Sequence, residues 1–137
     1  MGTIISDSDA FLCRDMGEFK RVIDKLRADE DKIILRLNCE LPTKSFSKKL
    51  DKQRICEDIQ KSLAEMRKMR EHLLHRCLQE NSATFDQCKD NLPNKMSALK
   101  TVKTNLRLIR EEVAVEEIVR SQADTAIQAR CRKELLI

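Results

Sequence analysis

Apolar residues recur along this chain at alternating spacings of three and four positions. The clearest run includes two cysteines and one arginine, and its members are Cys56, Ile59, Leu63, Met66, Arg70, Leu73 and Cys77. Alternating steps of three and four place side chains along one face of a helix in the heptad pattern. A second run of this kind consists of Leu12, Met16, Phe19, Ile23, Leu26, Glu30, Ile33 and Leu37. A third consists of Leu99, Val102, Leu106, Ile109 and Val113. The pattern predicts three long amphipathic helices.

Capping residues and a proline set the expected ends of the first two helices. Residues 7–9 (Asp-Ser-Asp) are suitable N-cap residues, so the first helix is expected to begin there and to continue unbroken through its heptad run. Pro42 ends that helix because proline removes a backbone donor and clashes with the preceding turn. The second helix is expected to begin within residues 47–51 and to end at about residues 88–89.

The third helix is expected to follow Pro93, a residue that a helix tolerates in its first turn. Ser121 is a candidate cap for a separate terminal helix. Whether the third helix bends at Ser121 or runs straight through it is left open by the sequence.

The composition supports an all-α fold. The 137 residues include only two glycines, two prolines and four phenylalanines, and neither Trp nor Tyr, whereas 36% of the residues are charged. Strands would require more β-branched and aromatic residues and more turn signals. We therefore predict antiparallel helical hairpins that form a three-to-four-helix, coiled-coil-like bundle, stapled by disulfides. Residues 1–8 are expected to be a loose lead and residues 9–137 a single domain.

Charge and hydropathy argue against nucleic-acid binding and against a membrane span. The net charge is +4, and cations are expected to interleave with carboxylates in every segment, so no basic stripe for phosphates is predicted. The apolar runs are shorter than the ~18–20 residues of a transmembrane helix. Acidic Asp7 and Asp9 argue against a cleavable mitochondrial presequence. Gly2 fits the loose pattern for N-myristoylation, and whether it is lipidated stays open.

Helix geometry suggests partners for four of the six cysteines. Cys56 and Cys77 are 21 positions apart on one helix, roughly 30 Å, so they cannot bond to each other. In an antiparallel hairpin, the numbers of facing residues add to a constant. For Cys13 and Cys77 the sum is 90, which puts the turn next to Pro42; for Cys56 and Cys131 it is 187, which puts the turn at Pro93. We therefore predict the disulfides Cys13–Cys77 and Cys56–Cys131.

Other outcomes for the cysteines remain open. Six cysteines allow 15 connectivities, and the state of Cys39 and Cys88 is not assigned. All six could instead stay reduced and pack as small apolar side chains. The chain has no C-x-x-C pair, so zinc-ribbon and thioredoxin-like proteins are not indicated.

No motif points to catalysis, a cofactor or a metal. His72 and His75 are the only histidines and are interpreted as solvated surface residues. The glutamate pairs 111–112 and 116–117 are interpreted as a solvated helix face. Arg70 and Glu30 interrupt apolar runs and are interpreted as polar positions that set the helix register. The sequence therefore predicts a protein that is not an enzyme.

Several short motifs along the chain match a known family: Cys13 with Glu18-Phe19, Arg36-Leu-Asn38, Leu41-Pro42-Thr43, Ser45-Phe46, Cys56, Ser62-Leu63, the region of Cys77, Val115-Glu-Glu-Ile-Val119 and Arg130-Cys131-Arg132. These motifs carry a resemblance to the coiled-coil domain-containing protein 58 family of small mitochondrial intermembrane-space proteins. It covers most of the chain, while residues 79–111 match poorly and Cys39 and Cys88 fall outside the family's pattern.

The resemblance implies a location and a role. It implies import into the mitochondrial intermembrane space without a presequence, oxidative folding by an oxidoreductase that binds transiently, and a role in promoting protein import. The implied partners are the import machinery or its precursor proteins. The alternative is a cytosolic coiled-coil scaffold or adaptor with reduced cysteines. The oligomeric state is left open.

Overall fold

Helices make up the part of the chain that the structure, a computed structural model, describes: residues 7–40, 49–89 and 96–131. The four helices in these ranges are α1 (Asp7–Leu12), α2 (Met16–Glu40), α3 (Lys49–Lys89) and α4 (Met96–Cys131). The prediction of an all-α fold is confirmed. The expected turns around Pro42 and Pro93 lie outside the described residues.

The first predicted helix is divided in two at residues 13–15. α1 closes with hydrogen bonds from the backbone N–H groups of Arg14 and Asp15 to the carbonyl oxygen of Phe11, at 3.0 and 3.1 Å. Asp15 then caps α2, because its Oδ1 accepts a hydrogen bond from the N–H of Glu18 at 3.1 Å. The prediction of one unbroken helix is therefore wrong at this point. The heptad run continued across the break and concealed it, although Asp15 three positions before Glu18 is a recognisable cap pattern.

The ends of the longer helices agree better with the sequence. α3 begins at Lys49 and ends at Lys89, as its predicted limits require. α4 runs without interruption through Ser121, whose carbonyl oxygen accepts a hydrogen bond from Oγ1 of Thr125 at 2.9 Å. Ser121 is thus inside a helix and does not cap a new one.

The described residues group into two compact units, each with an apolar core. The first unit contains residues up to Ile23 together with Met69–Glu116, and the second contains Asp24–Lys68 together with residues from Glu117 onward. The first core is formed by Cys13, Phe19, Ile23, Leu73, Leu74, Cys77 and Ile109. The second core is formed by Leu37, Cys56, Ile59, Leu63, Ile127 and Cys131. The division into a lead of residues 1–8 and a single domain over residues 9–137 stays a prediction; α1 begins at Asp7, and residues 1–6 lie outside the described ranges.

The contacts between α3 and α4 follow the predicted antiparallel register. In the first unit, the side chains of Arg70 and Glu116 are bonded, and those of Asn81 and Asn105 are bonded; the residue numbers of each pair add to 186. In the second unit, the bonded pair Cys56 and Cys131 adds to 187. A nearly constant sum is what an antiparallel hairpin produces, so this feature of the predicted fold is confirmed.

Candidate functional site

The Cys13–Cys77 disulfide joins the turn after α1 to α3. The two Cα atoms are 4.6 Å apart, and both residues are completely buried in the first core. Cys13 leaves α1 in a turn and does not continue a helix, so its side chain reaches α3 from a non-helical position. The bond closes a separation of 64 residues.

The Cys56–Cys131 disulfide joins α3 to the end of α4. Its Cα atoms are 5.9 Å apart across a separation of 75 residues, and both residues are completely buried in the second core. Leu37 of α2 belongs to the same core, so three helices meet around this bond. The structure thus pairs the four cysteines in the two combinations that the antiparallel register predicts.

Burial decides what the two disulfides can do chemically. Thiol–disulfide exchange requires a thiolate to reach one sulfur of the bond. All four bonded cysteines have no solvent-exposed area, so an outside thiol reaches them only after the core opens. The arrangement therefore suits permanent cross-links and is unsuited to a redox carrier that exchanges electrons in its folded state.

Two cysteines are free in the structure. Cys39 is exposed near the end of α2, and Cys88 is buried near the end of α3. Cys88 therefore reacts with thiol reagents only after local opening, whereas Cys39 is open to them. The sequence left both cysteines unassigned, and the structure gives neither one a partner sulfur among the described residues.

Buried side-chain amides form a hydrogen-bond network beside the Cys13–Cys77 disulfide and connect it to α4. Nδ2 of Asn81 donates to the carbonyl oxygens of Cys13 and Cys77, at 2.9 Å each. Nδ2 of Asn105 on α4 donates to Oδ1 of Asn81 at 3.2 Å. The carbonyl of Cys13 lies in a turn outside any helix, so Asn81 satisfies a buried acceptor there. The apolar pattern does not predict this network; its signal in the sequence is that Asn81 lies one turn after Cys77 and that Asn105 faces it in the register.

We expect Asn81→Ala to lower the free energy of unfolding by about 1–3 kcal/mol, because it strands the buried carbonyl of Cys13 and the amide of Asn105. Urea unfolding measures the loss. Gln79→Ala is the matched control, since Gln79 is exposed on the same helix and should change stability by less than about 0.5 kcal/mol. We also expect dithiothreitol to reduce Cys13–Cys77 faster in Asn81→Ala and to leave the rate at Cys56–Cys131 unchanged, as alkylation and peptide mass spectrometry would show. Equal changes at both bonds would contradict a local role for Asn81.

A buried ion pair lies in the first unit. Nε of Arg70 donates to Oε1 of Glu116 at 2.8 Å, and Nη2 of Arg70 donates to Oε2 at 2.9 Å, so the contact is bidentate. The side chains are 0% and 7% exposed. The interpretation of Glu116 as part of a solvated face is therefore wrong, because its carboxylate balances the buried guanidinium of Arg70. The bond between α3 and α4 agrees with a register-setting role for Arg70.

The remaining glutamates of this region divide between buried and solvated positions. Glu112 is also buried, and Nζ of Lys20 lies 3.2 Å from its Oε2. Its interpretation as solvated is also wrong, because its side chain is only 11% exposed. Glu111 and Glu117 are exposed, as the interpretation of a solvated face requires.

The two histidines differ in exposure. His75 is exposed, as predicted. His72 is half-buried, and its Nε2 is shielded from solvent without a hydrogen-bond partner among the described residues, so its interpretation as a solvated residue is wrong. Within residues 7–40, 49–89 and 96–131 there is no group of three or more His, Cys, Asp or Glu residues arranged to hold a metal ion.

None of the helices in the described ranges has an apolar stretch that would cross a membrane. Neither a protein-family model nor a solved structure matches the chain.

Proposed function

We propose that this protein is a non-enzymatic helical protein of the mitochondrial intermembrane space that promotes or regulates protein import into mitochondria and is matured by oxidative folding. The observation that carries the proposal is the pair of buried disulfides, Cys13–Cys77 and Cys56–Cys131, each placed within an apolar core. The family resemblance supplies the compartment and the link to import.

The burial of these bonds supports formation before the core closes. Structural disulfides form and persist in oxidising compartments, while the cytosol keeps most thiols reduced. A transient oxidoreductase would pass its disulfide to the chain: a cysteine thiolate attacks it, a mixed disulfide forms, and the partner cysteine resolves it. The carrier leaves with two thiols, and the chain gains one disulfide. Folding around each bond then removes it from further exchange.

The same cross-links would retain the folded chain in the compartment where they form. A bond that spans 64 or 75 residues fixes distant parts of the chain in a folded hairpin. A folded, cross-linked hairpin does not pass back through a pore that admits an extended chain. The proposal assigns the chain no catalytic centre and no cofactor, and places its action in contacts with the import machinery or with precursor proteins.

A thiol-shift assay on intact cells tests the compartment and the oxidation state together. Free thiols are blocked in denaturant, disulfides are reduced, and the released thiols are tagged with a maleimide polymer. We expect four tags, from Cys13, Cys77, Cys56 and Cys131, on protein that fractionates with mitochondria and becomes protease-sensitive when the outer membrane is opened. The double variant Cys39→Ser/Cys88→Ser is the matched control and should also accept four tags. Protein outside mitochondria with no tags would overturn the proposal and favour a cytosolic scaffold.

A second measurement addresses import directly. Mitochondria from cells that lack the protein should take up a reporter precursor more slowly, and the wild-type protein should restore the rate. The Cys56→Ala/Cys131→Ala variant should restore it poorly, because the unlinked chain is not retained. An unchanged import rate without the protein would contradict the role in import while leaving the location intact.

A further inference from the structure

The first fifteen residues of α4 carry positive charge only. Residues 96–110 contain Lys100, Lys103, Arg107 and Arg110 and no aspartate or glutamate. The whole chain has 27 cations and 23 acidic residues, so these four account for its net charge of +4. The expectation that cations and carboxylates interleave in every segment is wrong here.

These four cations form one row on the helix surface. They follow one another at steps of three, four and three, so they lie on one face, and all four are exposed. Exposed Met96 precedes Lys100 by four positions on the same face. The row from Lys100 to Arg110, here named the basic ridge, is roughly 15 Å long. It repeats the spacing of a heptad run, with cations in place of apolar residues.

Among the residues that the structure describes, the ridge cations form no ion pair with a carboxylate, although Asp86 lines a groove that Lys103 and Arg110 also line. Some other surface cations do bind neighbouring acids: Arg21 binds Glu18 at 2.6 Å, and Arg76 binds Glu80 at 3.0 Å. Like charges three and four positions apart on a helix repel each other. A negatively charged partner that binds the ridge would offset this repulsion.

A groove adjoins the ridge within the first unit. Its volume is about 280 Å³, and it is lined by Ser82, Phe85 and Asp86 of α3 and by Lys103, Leu106 and Arg110 of α4. Phe85 and Leu106 supply apolar lining, and two ridge cations border it. Asp86 is bound by Nζ of Lys89 at 3.5 Å. The groove therefore offers an apolar contact directly beside a row of positive charge.

We propose that the basic ridge and this groove dock an acidic helical segment of a partner protein. Carboxylates spaced by three and four residues would meet the ridge cations, and one apolar side chain would enter the groove. Phosphate groups fit less well, because they bring no apolar side chain to Phe85 and Leu106. A cationic targeting segment, rich in Arg and poor in acidic residues, is repelled. The inference stands whether or not the proposed role in import holds.

Fluorescence anisotropy with two synthetic peptides tests this surface. Both peptides are alanine-rich and contain four glutamates and one leucine; in the first the glutamates are spaced by three, four and three residues, and in the second they are contiguous. We expect the first peptide to bind the full-length protein at least about tenfold more tightly than the second, with affinity that falls as salt rises. Equal binding of the two peptides would contradict the inference that the partner presents its carboxylates at helical spacing. If the ridge bound phosphatidylserine-containing vesicles or a DNA duplex more tightly than the first peptide, the inference of a protein partner would be overturned.

Two matched variants assign the binding to the ridge. In the first, Lys100, Lys103, Arg107 and Arg110 are replaced by glutamine; in the second, the exposed cations Lys25, Arg54, Lys61 and Lys68 are replaced by glutamine. Both lower the net charge by four, and circular dichroism checks that both keep their helices. We expect the ridge variant to weaken binding by about tenfold or more and the control to weaken it less than about threefold. Equal losses would show attraction by net charge alone and would overturn the proposal.

Discussion

Replacing Cys56 and Cys131 together with alanine should lower the free energy of unfolding by about 4 kcal/mol. The bond spans 75 residues, and without it the unfolded chain regains the freedom of a long open loop. Both residues are completely buried, so the two alanines add no exposed polar group. Urea unfolding followed by circular dichroism measures the change, and the urea dependence of the free energy should steepen because the unlinked chain expands further. The Cys13→Ala/Cys77→Ala variant should lose a similar amount, since its loop of 64 residues is nearly as long.

Two controls distinguish the effect of losing the disulfide on stability from the effect of removing sulfur atoms. Cys39→Ala removes an exposed thiol that forms no disulfide and should change stability by less than about 0.5 kcal/mol. Wild-type protein unfolded in excess reductant should approach the stability of a protein that lacks both bonds. A reduced wild type as stable as the oxidised one would show that the bonds do not constrain the unfolded chain, and would remove the structural reason for oxidative maturation.

The pairing of Cys56 with Cys131 was predictable because it depends on regular helix geometry, whereas Cys13 reaches Cys77 from the turn after α1. A heptad pattern repeats every 3.5 residues, so residues 21 positions apart, which is three heptads, lie on one face, as Cys56 and Cys77 do. A hairpin of two straight helices then relates residue numbers by a constant sum. Neither step requires knowledge of side-chain contacts. The breaks marked by Pro42 and Pro93 predicted a second helix that begins within residues 47–51 and ends at about residues 88–89, and α3 spans Lys49–Lys89.

Irregular backbone and buried polar groups were not predictable in this way. The break at Asp15 depends on one side-chain hydrogen bond to Glu18, which competes with the helix that the apolar run alone would favour. Glu116 and Asn81 are buried because each meets a specific polar group of another segment, whereas the same residue types on a single helix usually face water. The register that pairs Cys56 with Cys131 also places position 117 opposite Arg70, so a search for an acid near that position would have found Glu116.

Removing one member of the Arg70–Glu116 pair should lower the free energy of unfolding by about as much as losing a disulfide does. Arg70→Met leaves the carboxylate of Glu116 buried without its guanidinium partner, and we expect the free energy of unfolding to fall by about 3–5 kcal/mol. The loss arises mainly from the stranded charge, because a buried ion is poorly solvated by protein. Arg76→Met is the matched control. It breaks the pair with Glu80, whose side chains are 28% and 26% exposed, and it should cost less than about 1 kcal/mol.

The double variant Arg70→Met/Glu116→Leu decides what the ion pair contributes. With both charges gone, apolar side chains of similar volume fill the space between α3 and α4, and we expect stability to return to the wild-type value or to exceed it. If the pair sets the register, the double variant should keep its stability yet pair its helices less uniquely, which would appear as a fraction of molecules with Cys56 unable to reach Cys131 during oxidative refolding. A double variant as unstable as Arg70→Met alone would contradict the stranded-charge explanation. Complete and uniform disulfide formation in the double variant would show that the apolar runs and the sulfur positions determine the register without help from the buried charges.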